Sequence, residues 1–119
     1  MTKFVTRAQW NAKPPKRSKA LTSTKYGWVP HYNGPPMDLD KSGEEAMRGI
    51  QHYHQVNKGW ADFGYNFGIR AGGVYEGRGW NARGAHSSGR FKGTGSYTNS
   101  NSLGVVFLYG QGQPPTKRD

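Results

Sequence analysis

Apolar positions predict one long helix in the middle of the chain. In residues 42–58, apolar and aromatic side chains recur at helical spacing, which is typical of an amphipathic helix with one buried face. The expected face consists of Ala46, Ile50, Tyr53 and Asn57, flanked by Met47 and His54. Ser42 and Glu45 have the spacing of a capping box, and Gly59 stands where the helix should end.

Two other stretches have the composition of strands at different positions in a sheet. Residues 102–108 form a continuous apolar run, which predicts a strand buried on both faces. Residues 27–32 form a short strand candidate that contains Pro30. Because proline has no N–H to donate to a neighbouring strand, we expect this strand at an edge or with a bend.

A hairpin and a long loop lie between the helix and the apolar run. In residues 65–69, large apolar side chains occur at every second position, which predicts a strand. Gly72 and Gly73 predict a turn, and residues 74–76 continue into a second strand. Residues 77–101 are rich in glycine, serine and asparagine, and ordered loops of this length inside a small domain are usually functional.

The two ends of the chain carry few regular patterns. Residues 1–27 are basic, and we expect an irregular segment that packs on the domain through Trp10. A positive arm is formed by Lys13, Lys16, Arg17, Lys19 and Lys25. At the other end, Thr116 follows two prolines like the N-cap of a helix about to begin.

Composition limits the protein to one small, polar and basic domain. The chain has 119 residues, a net charge of +10 and no cysteine, so disulfides and thiolate metal ligands are excluded. The charge favours polyanionic partners such as nucleic acid, an anionic membrane surface or a cell-wall polymer, although solubility alone would also account for it. We find no signal peptide and no apolar run long enough to span a bilayer, so we expect a protein that is cytoplasmic as made.

Four histidines are the candidates for metal or catalytic chemistry. His52 and His54 lie two residues apart on the predicted helix, point in nearly opposite directions and therefore read as one exposed and one packed residue. His31 and His86 lie near glycines at a strand end and in a loop, where functional side chains collect. Two histidines by themselves are a weak metal signal, since catalytic zinc usually has three protein ligands.

Five motifs, in order, are spread over most of the chain. They are RAQWNAKPP at residues 7–15, IQHYH with GWADFGYNF at residues 50–54 and 59–67, VYEGRGW at residues 74–80, GAH at residues 84–86, and NSLGV at residues 101–105. Their order and spacing resemble those of the family of peptidoglycan recognition proteins and type 2 N-acetylmuramoyl-L-alanine amidases, which includes phage endolysins.

The resemblance implies an α/β fold with a mixed central β-sheet flanked by helices and a groove for muropeptide. It covers the N-terminal part of the family's domain, so we expect residues 28–119 to form a C-terminally truncated domain on which residues 1–27 pack. Active members are zinc hydrolases that cut the amide between N-acetylmuramic acid and L-alanine. Zinc polarises the carbonyl and lowers the pKa of its bound water.

The resemblance also implies roles for individual residues. His31 corresponds to the first zinc ligand, although Pro30 disturbs the strand that carries it. Tyr65 corresponds to a catalytic tyrosine that stabilises the tetrahedral intermediate, and His86 to a groove histidine that contacts substrate. Three further positions correspond to the groove rim or its support: Arg78, Trp80 and Asn101. For Trp60, Asp62 and Phe67 we expect structural roles, with Asp62 holding a loop.

The remaining zinc ligands of the family, a second histidine and a cysteine or aspartate, lie in its C-terminal part. No histidine follows His86, and Asp119 does not match the ligand position. A single imidazole does not hold zinc usefully, so we predict that this chain alone binds zinc poorly and has no amidase activity.

Three functions stay open at this point. The first is peptidoglycan hydrolysis by a longer parent, endolysin-like and acting at the cell wall, with a phage or bacterial origin expected. The second is a non-catalytic module that binds peptidoglycan or a protein partner. The third, and the least favoured, is a basic protein that binds nucleic acid or another polyanion through its Lys/Arg arm.

Overall fold

The computed structural model describes residues 2–113, which form one β-sheet with helices. The strands are β1 (Lys3–Val5), β2 (Trp28–Tyr32), β3 (Phe67–Arg70), β4 (Gly73–Glu76) and β5 (Leu103–Phe107). The helices are α1 (Gly43–His52), which runs into a π-helical turn at Tyr53–Asn57, and the four-residue α2 (Thr98–Asn101). The helix start predicted at Thr116 and the terminal Asp119 lie outside the described residues.

The five strands form a mixed sheet in the order β1-β4-β3-β5-β2. Only β3 and β4 pair antiparallel, and the other neighbours pair parallel. The predicted mixed α/β fold is confirmed, as is the interior position of the apolar strand β5. Gly27 O accepts from Leu103 N–H at 2.9 Å, and because bonding direction alternates along a strand, Pro30 faces the free edge of β2.

The hairpin turns one residue earlier than predicted. Ala71 and Gly72 have positive φ angles of 50° and 77°, which is the signature of a two-residue type I′ turn. Gly73 is the first residue of β4 and pairs with Arg70. An alanine in this conformation is uncommon, so the sequence pattern favoured the Gly-Gly pair instead.

The start of α1 is as predicted, but its buried face is different. Ser42 Oγ accepts from Glu45 N–H and Glu45 Oε1 accepts from Ser42 N–H, both at 3.2 Å. The buried positions of α1 and the π-helical turn are Gly43, Ala46, Met47, Ile50, Gln51, His54 and Gln55. The prediction was wrong for Tyr53 and Asn57, which are exposed.

Two buried glutamines account for that difference. Gln51 Nε2 donates to Asp62 Oδ1 at 2.8 Å, and Gln55 Nε2 donates to Ala61 O at 2.9 Å. A buried amide is tolerated when it is hydrogen-bonded, so the polar side chains of Gln51 and Gln55 can occupy the core-facing side of the helix. The expected split between the two neighbouring histidines is confirmed, with His52 exposed and His54 buried.

The N-terminal segment is more regular than predicted. Residues Lys3–Val5 form β1 and pair parallel with β4. Trp10 is fully buried in the core between α1 and the sheet, and its Nε1–H donates to Glu76 O at 2.7 Å. A three-residue strand is too short to show a period, which is why the sequence pattern did not reveal β1.

The other sheet face carries an aromatic cavity of about 590 Å³. Its large side chains include Phe4, Trp28, Phe67, Trp80 and Phe107. Phe4, Trp28 and Trp80 are each about half exposed. Among the described residues, no helix is both long enough and apolar enough to cross a membrane.

Candidate functional site

Three residues singled out in the sequence meet on the sheet face that α1 covers. His31 lies beside Val106, whose side chain belongs to the core with Met47 of α1. The rings of His31 and His86, called the histidine pair below, touch through Nε2 and Nδ1 at 3.0 Å. The ring of Tyr65 lies 5.2 Å from that of His31. Residues from three separate parts of the chain therefore form one cluster.

The position of His86 depends on two residues that sequence reasoning missed. Asn99 Oδ1 accepts from the N–H groups of His86 and Ser87 at 2.8 and 2.9 Å. A Cβ atom at Gly104 would lie 2.4 Å from the ring of His86, so only glycine allows this approach. Gly104 belongs to the NSLGV motif. It is eighteen positions from His86 in the sequence, so no local pattern predicts their contact.

Burial keeps the site residues uncharged at neutral pH. Desolvation lowers the pKa of His31 and, with added effects of His31 and Arg78, lowers the pKa of His86 to about 4. Burial raises the pKa of Tyr65, so its hydroxyl keeps its proton. Neutral imidazoles and a phenol are groups that can exchange hydrogen bonds with the amides and hydroxyls of a ligand.

A strongly basic pocket adjoins the histidine pair. Four cations and Trp60 line this basic pocket of about 300 Å³: Arg17, Lys19, Arg78 and Arg83. Ala85, the residue before His86, also lines it. No carboxylate is among its lining residues.

The guanidinium groups of this pocket are only partly satisfied. Arg78 Nε donates to Phe63 O at 2.7 Å and Arg78 Nη1 donates to Arg83 O at 2.9 Å. Arg83 Nε is buried without a hydrogen-bond partner. A buried N–H without an acceptor is costly. An anionic group that entered the pocket would meet guanidinium groups, which bind carboxylates through charge-assisted hydrogen bonds.

The expected structural role of Asp62 is confirmed. Its Oδ1 accepts from Phe63 N–H at 2.7 Å, and its Oδ2 pairs with Arg7 Nη1 at 2.8 Å. Phe67 is buried and Trp60 is partly buried. Asp62 thus holds Arg7 and the loop, and its charge also acts on Arg78 at the border of the basic pocket.

Two of the predicted groove residues lie elsewhere. Trp80 packs on Trp28 and Phe67 of the opposite sheet face, with ring distances of 5.5 and 4.8 Å. Gly79, with a φ of 82°, separates Arg78 from Trp80, which lie on different sides of the sheet. Asn101 accepts from Ser23 Oγ at 2.9 Å and so holds the N-terminal segment. Trp80 and Asn101 are not part of the cluster of His31, Tyr65 and His86. Substrate contacts by these two residues stay predictions.

The donor set of the described residues does not complete a zinc site. Within residues 2–113, no group of three histidine, cysteine, aspartate or glutamate side chains is close enough to hold a metal. The histidine pair offers two imidazoles, and catalytic zinc usually has three protein ligands. Zinc binding by His31 therefore stays a prediction about a longer chain.

Comparisons with known proteins point to one family. Peptidoglycan recognition protein 1 of Mus musculus is 39% identical over 107 residues, which cover 88% of this chain and 55% of the mouse protein. The structure of wild-type Drosophila PGRP-LB matches with a TM-score of 0.81 and 30% identity, over 99% of this chain and 67% of that chain.

A third match contains a ligand. The structure of peptidoglycan recognition protein LE in complex with tracheal cytotoxin matches with a TM-score of 0.80 and 29% identity, over 97% of this chain and 65% of that chain. No protein-family profile matches. The chain spans about half the length of the curated relatives it matches. On its five motifs, its sheet topology and these similarities, the chain belongs to the peptidoglycan recognition protein family.

Proposed function

We propose that this protein binds peptidoglycan fragments across the histidine pair and the basic pocket. The observation that carries the proposal is the continuity of the two sites, since Ala85 lines the basic pocket and His86 belongs to the pair. The relative LE is described in complex with tracheal cytotoxin, a monomeric diaminopimelic acid-type peptidoglycan. Such a ligand combines amides, hydroxyls and carboxylates in one molecule.

Each part of this surface matches one chemical feature of a muropeptide. The uncharged His31, Tyr65 and His86 would exchange hydrogen bonds with sugar and peptide groups. The carboxylates of the stem peptide would enter the basic pocket, where Arg83 is one of four lining cations. Guanidinium–carboxylate bonds are among the stronger polar contacts in proteins, and the net charge of +10 would attract an anionic polymer from a distance.

Replacing Arg83 by methionine should weaken muropeptide binding by about tenfold to a hundredfold, because one charge-assisted hydrogen bond is lost. The same change should leave stability unchanged or slightly higher, since it removes a buried unpaired N–H. Isothermal titration calorimetry with a soluble diaminopimelic acid-type muropeptide, together with urea unfolding, measures both effects.

The exposed Lys92 provides the matched control for charge. Lys92→Ala removes one positive charge at an exposed position that does not line the basic pocket. It should change the affinity for muropeptide less than about threefold at 0.15 M salt. Absence of binding by the unmodified protein would exclude the proposed function. Equal losses for Arg83→Met and Lys92→Ala would show that only the overall charge matters.

We infer a second candidate function, amidase activity, for a longer chain that supplies further metal ligands. The observation that favours it is the contact among His31, Tyr65 and His86. In such a chain the Tyr65 hydroxyl would donate to the oxyanion that develops on the scissile carbonyl.

The 119-residue chain with added zinc should not release the stem peptide from a muropeptide. The reason is that its histidine pair offers two ligands where catalytic zinc usually has three. Chromatography of the incubated muropeptide, with and without a chelator, measures the release. Turnover that the chelator abolishes would contradict this expectation.

A further inference from the structure

One residue, Gly64, joins the helix to both loops of the candidate site through its N–H and its carbonyl. The N–H of Gly64 donates to Nδ1 of the buried His54 at 2.8 Å. The carbonyl of the same residue accepts from Ala85 N–H at 2.8 Å. The residues that follow Gly64 and Ala85 are Tyr65 and His86, so both segments of the site are attached to this one residue.

The contacts around this residue leave little room for movement. A Cβ atom at Gly64 would lie 2.8 Å from the ring of Trp60 and 3.2 Å from the ring of His54. At Gly84, a Cβ atom would lie 3.2 Å from Gly64 O and 2.7 Å from the ring of His86. The two loops are packed backbone to backbone, so a shift of Gly64 would move both site residues.

Aromatic packing fixes the ring that receives the hydrogen bond. The ring of His54 lies 4.5 Å from that of Trp60 and 6.0 Å from those of Phe63 and Tyr65. Burial, assisted by the charges of Arg78 and Lys58, lowers the pKa of His54 to about 4. The ring is therefore neutral at pH 7, and Nδ1 is free to act as an acceptor when the proton is on Nε2.

We propose that His54, which lies outside the ligand-binding surface, is a positioning residue that holds Tyr65 and His86 in place through the backbone of Gly64. This inference rests on the proposed function in one respect: the affinity for muropeptide is used to measure the positioning. His54 belongs to the IQHYH motif, but the resemblance assigns it no role at the site. Its ring meets the cluster of His31, Tyr65 and His86 only at Tyr65, 6.0 Å away.

Three substitutions of His54 separate the hydrogen bond from simple packing. Asparagine branches at Cγ like histidine, so its Oδ1 takes the place of Nδ1 and retains an acceptor for Gly64 N–H. Leucine has the same branching with a methyl group at that position and no acceptor. Glutamine places its amide one bond further out, near the position of Nε2, and serves if the leucine variant does not fold.

The leucine and glutamine variants should bind muropeptide about tenfold more weakly than the unmodified protein, and the asparagine variant within about threefold of it. The Gly64 amide should lose hydrogen-exchange protection in the first two and keep it in the third. Unchanged affinity in the leucine or glutamine variant would overturn the inference. So would equal losses in all folded variants, because the acceptor would then be irrelevant.

A ligand-free measurement distinguishes failure of this inference from failure of the proposed function. Nitrogen-15 NMR of the imidazoles reports whether His31 and His86 share a hydrogen bond. That signature should persist in the asparagine variant and change in the leucine and glutamine variants, whether or not muropeptide binds. Identical imidazole spectra in all three folded variants would overturn the positioning role even if the unmodified protein bound muropeptide well.

Discussion

Replacing Trp10 by alanine should lower the free energy of unfolding by about 4 kcal/mol, close to the largest loss expected for one buried side chain. Trp10 is fully buried and packs 6.2 Å from the ring of Phe63. Its indole N–H donates to Glu76 O at 2.7 Å, which links the N-terminal segment to the end of β4. The substitution would leave both a cavity and a carbonyl without its donor.

Trp10→Phe separates these two contributions. Phenylalanine keeps most of the apolar contact but cannot donate, so we expect a loss of about 1–2 kcal/mol. Urea unfolding followed by far-ultraviolet circular dichroism measures both variants without relying on tryptophan fluorescence. A loss below about 1 kcal/mol for Trp10→Ala would mean that residues 1–27 do not belong to the cooperative core.

Replacing Asp62 by asparagine should cost about 3 kcal/mol, although the two side chains have nearly the same shape. Asp62 is 4% exposed and accepts from Gln51 Nε2, Phe63 N–H and the guanidinium of Arg7. An asparagine NH₂ would face donors wherever it was placed, and Arg7 would lose its counter-charge. Chemical denaturation at pH 7 measures the effect.

The exposed Asp40 provides the control for loss of a carboxylate. Asp40→Asn changes the net charge by the same amount and should alter stability by less than about 0.5 kcal/mol. If Asp62→Asn also stayed within that range, Asp62 would not have the structural role that its contacts indicate.

The parts of the fold that sequence patterns predicted well are those decided by neighbouring residues. The capping box of Ser42 and Glu45 spans three positions, and the apolar run of β5 needs burial on both faces wherever it lies. Pro30 favoured an edge position for β2 because it lacks an N–H. These features follow from backbone chemistry that is the same in any fold.

The features that were mispredicted depend on partners far along the chain. Gln51 and Gln55 face the core because Asp62 and Ala61 O accept from them, and no rule of helix periodicity identifies such acceptors. Strand β1 exists because β4 offers a parallel edge seventy residues later.

The candidate site shows the same division. The motifs identified His31, Tyr65 and His86 by resemblance, and the structure brings them together. Their neutrality, by contrast, results from burial. The acceptor for the Gly64 N–H is His54, for which the sequence predicted only a structural role. The basic pocket brings Arg17 of the N-terminal segment together with Arg78 and Arg83 of the long loop, a combination that no local pattern predicts.

By itself, the sequence determined the family, the main helix, the central strand and three of the residues that meet at the site. The tertiary structure alone decided which face of each element is buried, which charges lack a counter-ion and which residues hold the site in place. The physical reason is that hydrogen bonds, packing and desolvation act between groups close in space. Their partners here are commonly separated by tens of residues, beyond the reach of any local pattern.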